Sequence, residues 1–130
     1  MDLINMYFKA WKTRDCQLLP SIFTQDAKYI VKPCVEEYAG LENIIKYWEL
    51  NPVTQIEPTP EIITCFPSPD KAMWFCEFRN TQKLISDNKI KITEGMILFI
   101  IRGTIGTKNS FTPSSNMICE LREFYRSRME

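Results

Sequence analysis

The chain has 130 residues, 45% of them hydrophobic and 25% charged, which is one domain (1–130) able to bury roughly two-thirds of its unfolded surface without disulfides or metal. Sixteen Lys and Arg balance sixteen Asp and Glu, and the cations are scattered from Lys9 to Arg128. Disorder, low complexity and a basic nucleic-acid-binding surface are thereby excluded.

Leu3, Ile4, Tyr7, Phe8 and Trp11 recur at helical spacing and predict an amphipathic helix over residues 2–13. Asp15 is placed to cap a second, short helix carrying Leu18, Leu19, Ile22 and Phe23, with Pro20 tolerable only in its first turn. Residues 27–31 read as a strand ended by Pro33. Gly40 opens a third helix whose apolar face is Leu41, Ile44, Ile45 and Trp48, and Pro52 stops it. Pro58 and Pro60 make the approach to a strand at 61–66 irregular or an edge. Ser68-Pro69-Asp70-Lys71 is a turn with proline at its favoured second position.

Residues 72–83 alternate, with Ala72, Trp74, Cys76 and Phe78 on one face and Met73, Phe75, Glu77 and Arg79 on the other. A turn at 86–89 leads to a strand at 90–102. Its stretch 96–101 is apolar on both faces, which calls for a second layer over its outer side, here a subunit interface. Residues 103–116 form a loop, and 117–125 a last strand with Met117, Cys119 and Leu121 on its apolar face. Helices segregated from a run of antiparallel strands give an α+β fold, the helices covering one face of a curved sheet.

The chain has no histidine, so acid–base work falls to carboxylates, Lys, Tyr or Cys. Cys16, Cys34, Cys65, Cys76 and Cys119 are odd in number and widely spaced, which reads as free thiols in a reducing cytosol and places the protein in the cytoplasm. No signal-peptide pattern, membrane-length apolar run, phosphate loop, nucleotide fingerprint or metal-ligand spacing is present. No cofactor, metal, membrane or nucleic-acid partner is therefore expected.

Four patches carry a resemblance. They are Ala10-Trp11 through Asp15 with Leu19, Phe23 and Asp26-Ala27-Lys28-Tyr29; Tyr38-Ala39-Gly40 with Ile44, Ile45 and Trp48; Glu94-Gly95 before an apolar run; and Ile118-Cys119-Glu120-Leu121-Arg122-Glu123-Phe124-Tyr125. In this order they resemble the nuclear transport factor 2-like superfamily, in its SnoaL-like or ketosteroid-isomerase-like branch, over nearly the whole chain. The resemblance implies a cone: three N-terminal helices on a strongly curved, mostly antiparallel sheet, with a pocket at the wide end. It also implies a homodimer through the outer sheet face, which would use Ile97, Phe99 and Ile101 opposite Met96, Leu98 and Ile100.

Two carboxylates are catalytic candidates. Glu94 shares parity with Ile90, Ile92, Met96 and Leu98; on an inward apolar face it would be desolvated and suited to proton transfer, and at the sheet margin it would pair with an arginine. Glu123 shares parity with Met117, Cys119 and Leu121. It matches the position of a catalytic Asp in limonene-epoxide-hydrolase-like relatives, and its alternative is an ion pair with Arg79 or Arg122. Those relatives also need Arg-x-Asp, and here Arg79-Asn80-Thr81 supplies no acid. Tyr7 matches the oxyanion-binding tyrosine of ketosteroid isomerases, but the isomerase's base has only Val31 or Lys32 as counterparts. Tyr7, Trp11, Tyr29, Trp48, Trp74 and Arg79 are the candidate pocket residues, with core packing as the alternative for the aromatics. The resemblance thus implies a hydrophobic small-molecule pocket, with cofactor-independent acid–base chemistry of isomerase, cyclase or hydrolase type. The alternatives are a non-catalytic ligand-binding or dimerisation domain and a protein-binding module.

Overall fold

The computed structural model describes residues 2–31, 36–50, 55–84, 89–103 and 116–129. Its elements are helix α1 (Asp2–Thr13), a 3₁₀ helix (Cys16–Ser21), β1 (Phe23–Val31), β2 (Glu36–Ala39), α2 (Leu41–Leu50), β3 (Gln55–Pro67), β4 (Met73–Leu84), β5 (Ile90–Gly103) and β6 (Asn116–Met129). Six strands form one sheet in the order β2-β1-β6-β5-β4-β3. Only β1 and β6 run parallel; the other neighbours are antiparallel.

The first helix forms where its apolar stripe predicts, and Ile4, Tyr7 and Phe8 are buried on it. It ends in a Schellman turn. Arg14 N–H bonds the Trp11 carbonyl at 3.1 Å, Asp15 N–H bonds the Ala10 carbonyl at 3.0 Å, and Arg14 itself is left-handed at φ 55°.

The second helix expected at Asp15 is a single 3₁₀ stretch. Asp15 does cap it, accepting from Gln17 N–H at 3.0 Å. Pro20 inside it withholds an N–H, and the short i→i+3 bonds of a 3₁₀ turn suit so brief a segment. Two α-helices and one 3₁₀ helix thus stand where three helices were expected. Of the residues read as helical, Ile22 caps the C-terminus of the 3₁₀ helix and Phe23 begins β1, and both are buried.

Gly40, at φ +87°, turns β2 into α2 while its N–H bonds the Ala27 carbonyl at 2.7 Å. β2 itself carries Glu36 and Glu37, which hid it from an apolar-alternation reading. The expected turn at 86–89 and loop at 103–116 fall mainly outside the described residues.

Inside the sheet, Tyr29, Val31, Cys76, Phe78, Ile97, Phe99 and Leu121 meet the buried faces of α1 and α2 in one core. This reverses the expected phase of β5. Ile97 and Phe99 face inward, and Met96, Leu98 and Glu94 face outward. Hydrophobicity alone could not choose, because both faces are apolar. Pairing chooses: Cys76 and Phe78 point inward and stand opposite Ile97 and Gly95.

The five-free-thiol expectation is also corrected. The β3–β4 register sets Cys65 opposite Cys76 with Cα atoms 4.1 Å apart, and the two are joined as a disulfide. Their separation of eleven residues carries no recognisable spacing motif, so only the strand pairing reveals the bond. Cys16 and Cys119 are free thiols, and Cys34 lies outside the described residues. Cys119 sits at a step in the β5–β6 register, so Ile118 rather than Cys119 is fully buried at the start of β6.

Candidate functional site

A cavity of about 90 Å³ lies between the helices and the inner sheet face. Its apolar wall is aromatic: Tyr7 and Trp11 from α1, Tyr29 from β1, Tyr47 and Trp48 from α2, and Tyr125 from β6. The polar lining comes from the far halves of the long strands, Asn80 and Gln82 on β4, Thr93 on β5 and Glu123 on β6. Arg14 and Lys91 complete it.

Glu123 is the centre of the site. Its strand neighbours are Ile97 and Val31, both fully buried, and its own exposure is 7%. Neither arginine expected to neutralise it does so. Arg79 lies on the outer face, 3.7 Å from Glu94 and 4.0 Å from Glu61, and Arg122 pairs with Glu120 at 2.6 Å. Burial pushes the Glu123 carboxyl up to about 7. It therefore holds its proton through much of the range where an ordinary carboxylate is ionised.

Tyr7 and Tyr29 share a buried hydrogen bond of 2.8 Å between their hydroxyls. Burial raises both phenols well above their ordinary value, and Glu123 nearby adds to this. They stay neutral donors. The Tyr7 ring is fixed by edge-on contacts to Phe99 at 5.3 Å, Phe8 at 5.4 Å and Trp48 at 5.6 Å between centroids.

Among the described residues, two buried polar atoms of cavity-lining side chains lack a partner: Trp48 Nε1 and Asn80 Oδ1. Asn80 donates through Nδ2 to Gln82 Oε1 at 2.6 Å, which leaves its other amide atom unused. An unmet buried polar group costs about 1–3 kcal/mol.

The remaining expected residues lie elsewhere. Glu94 is on the outer face, ion-paired with Arg128 and Arg79; the Arg128 contact holds its carboxyl below the usual range. Trp74 packs against the core, donates from Nε1 to the Lys71 carbonyl at 3.2 Å and does not line the cavity. Tyr7, Trp11, Tyr29, Trp48 and Glu123 are brought together. Arg14, Tyr47, Asn80, Gln82, Lys91, Thr93 and Tyr125 were missed, although inward alternation carried past Phe78 would have placed both amides on the core face. Among the described residues no group of acidic or cysteine side chains could hold a metal ion, and no helix is long and apolar enough to cross a membrane.

No family model matches the sequence, and no curated protein matches it. Solved structures do. One is a protein of ketosteroid isomerase-like fold from Catenulispora acidiphila, solved with trimethylamine: 12% identity, TM-score 0.75, 95% of this chain and 84% of that one. A hexachlorocyclohexane dehydrochlorinase, LinA type 3, from Novosphingobium barchaimii matches at 13% identity and TM-score 0.78, covering 99% and 84%. The type 2 dehydrochlorinase matches at 11% identity and TM-score 0.79, with the same coverage. With the element order and sheet topology described above, these likenesses give the chain the ketosteroid isomerase-like, nuclear transport factor 2-like α+β fold.

Proposed function

We propose that this protein transfers a proton to or from carbon in a small molecule, an isomerisation or elimination without a cofactor, with Glu123 as the proton carrier. The observation that carries the reading is the Glu123 carboxyl, without an ion pair among the described residues, buried on a cavity wall and titrating near neutrality. A carboxyl matched to ambient pH serves as acid or base with nearly equal ease. The Tyr7–Tyr29 hydroxyl pair and Trp48 Nε1 supply neutral donors for charge that develops on a substrate oxygen. The fold-mates named as hexachlorocyclohexane dehydrochlorinases support the same class of step, since a dehydrochlorination removes a proton from carbon. The test is deuterium incorporation from D₂O into cyclohexanone, followed by NMR, with wild type compared with Glu123→Gln. Acceleration by wild type that Glu123→Gln retains would sink the assignment.

The outer sheet face supports a homodimer. Phe66 is 50% exposed there and Phe124 46%, and Met73, Met96 and Leu98 continue the apolar surface between them. Met96→Lys combined with Phe124→Lys is expected to halve the sedimenting mass while the helical signal stays unchanged. A wild type that sediments as a monomer at 100 µM would contradict the dimer.

A further inference from the structure

We infer that the cavity takes an uncharged ring bearing more than one hydroxyl, its flat face against the aromatic helix wall and its hydroxyls toward Asn80, Gln82 and Thr93 on the sheet wall. The inference rests on the proposed reading of the cavity as a ligand site and adds the class of ligand.

The two walls differ in chemistry. Tyr7 and Trp11 on α1 and Tyr47 and Trp48 on α2 make one side aromatic. The other side is a polar stretch of sheet. Along β4 the inward row runs Cys76, Phe78, Asn80, Gln82, and of these four only the two amides line the cavity. Thr93 stands opposite Asn80 on β5. Asn80, Gln82 and Thr93 are 1%, 5% and 8% exposed, a depth that such side chains seldom reach unless they are hydrogen-bonded. The amides bond one another, Asn80 Nδ2 donating to Gln82 Oε1 at 2.6 Å, while Asn80 Oδ1 meets no donor among the described residues. Thr93 shares a hydrogen bond of 2.8 Å with the Ser127 hydroxyl.

Hydroxyls suit this wall better than charged groups do. A carboxamide or a threonine hydroxyl both donates and accepts, and so does an alcohol. A carboxylate only accepts, an ammonium only donates, and each is costly to bury against neutral partners. The charges of the lining do not call for an ionic ligand. Arg14 and Lys91 share the lining with Glu123, which is half ionised at its value of about 7, and Arg14 is already engaged within the protein. A ring serves both walls at once, because its face is apolar and its hydroxyls project from the edge.

The test is an NMR titration that follows the indole N–H signals and compares cyclohexane-1,2-diol with cyclohexanol. In an apolar cavity the second hydroxyl weakens binding, because it loses water and gains no partner. Here it is expected to tighten binding about fivefold or more. Both probes should move the Trp48 signal more than that of Trp74, which does not line the cavity. In Asn80→Leu and in Gln82→Leu the diol should bind no more tightly than cyclohexanol. If one variant fails to fold the other carries this arm, and the comparison in wild type depends on neither. Cyclohexanol binding wild type as tightly as the diol overturns the recognition of hydroxyls and leaves the ligand-site reading standing. Cyclohexanecarboxylate binding more tightly than the diol overturns the uncharged ligand. A diol preference that survives in both variants overturns the assignment to the amide row. A Trp48 signal that no probe moves at about 20 mM overturns the inference and the ligand-site reading together.

Discussion

Between pH 4.5 and pH 8 the protein is expected to lose roughly 3 kcal/mol of stability through Glu123, and Glu123→Gln to abolish that loss. The sign follows from proton counting. In the unfolded chain Glu123 titrates near its ordinary value of 4.5; in the folded chain it titrates near 7. Between these values the folded state holds a proton that the unfolded state has released, so stability falls as the pH rises. The favourable contribution is complete below the lower value and gone above the higher one. For a chain of 130 residues roughly 3 kcal/mol corresponds to about 10 °C in Tm.

The measurement is the difference in Tm between Glu123→Gln and wild type across this range. It should widen by about that amount with rising pH, whatever the glutamine costs at a single pH. The tyrosines around Glu123 are neutral throughout this window, so the slope belongs to the carboxyl. In the deuterium-exchange assay the same variant should lose about 10²–10⁴-fold, the usual worth of a positioned proton carrier. A constant difference in Tm from pH 4.5 to 8 would mean that Glu123 is paired or hydrated, and the proton-carrier reading would fail with it.

Gly95→Ala is the second large effect, with an expected loss of about 3 kcal/mol or more. Gly95 stands opposite Phe78 on β4 and Tyr125 on β6. A Cβ there would lie 2.7 Å from the Tyr125 Cα and nearer still to the Phe124 carbonyl oxygen. Both are backbone atoms, so no rotamer change relieves the clash, and β6 must move. Tyr125 and Glu123 line the cavity from that strand, so the displacement reaches the site. Urea unfolding measures the loss of stability, and the Glu123 titration measures the disturbance of the site. A variant as stable as its parent would mean that β5 and β6 pack with more room than this geometry allows.

The fold was legible because periodicity and punctuation agree along most of the chain. Trp11, Tyr29 and Trp48 sit at spacings that their own elements satisfy, and all three line one cavity. Glu123 was legible through the parity of β6. Glu94 was misplaced because Ile90, Ile92, Met96 and Leu98 form an apolar row as convincing as the one that faces inward. Phase in such a strand is set by its neighbours, through pairs such as Cys76 with Ile97. The disulfide was invisible for the same reason, since cross-strand register and not spacing brings Cys65 to Cys76. Arg14 carried no signal in sequence, because its peculiarity lies in a backbone angle.

The place of β6 has a consequence for the order of assembly. It lies between β1 and β5, which share no pairing of their own. Before β6 arrives, the chain consists of a β1–β2 hairpin with its helices and a β3–β4–β5 meander, two halves that no backbone ladder connects. The strand that joins them is synthesised after both and also brings Glu123 and Tyr125. Closure across so long a stretch of sequence is entropically slow. Until β6 pairs, one edge each of β1 and β5 stays open, and Glu123 enters with the strand that completes the sheet.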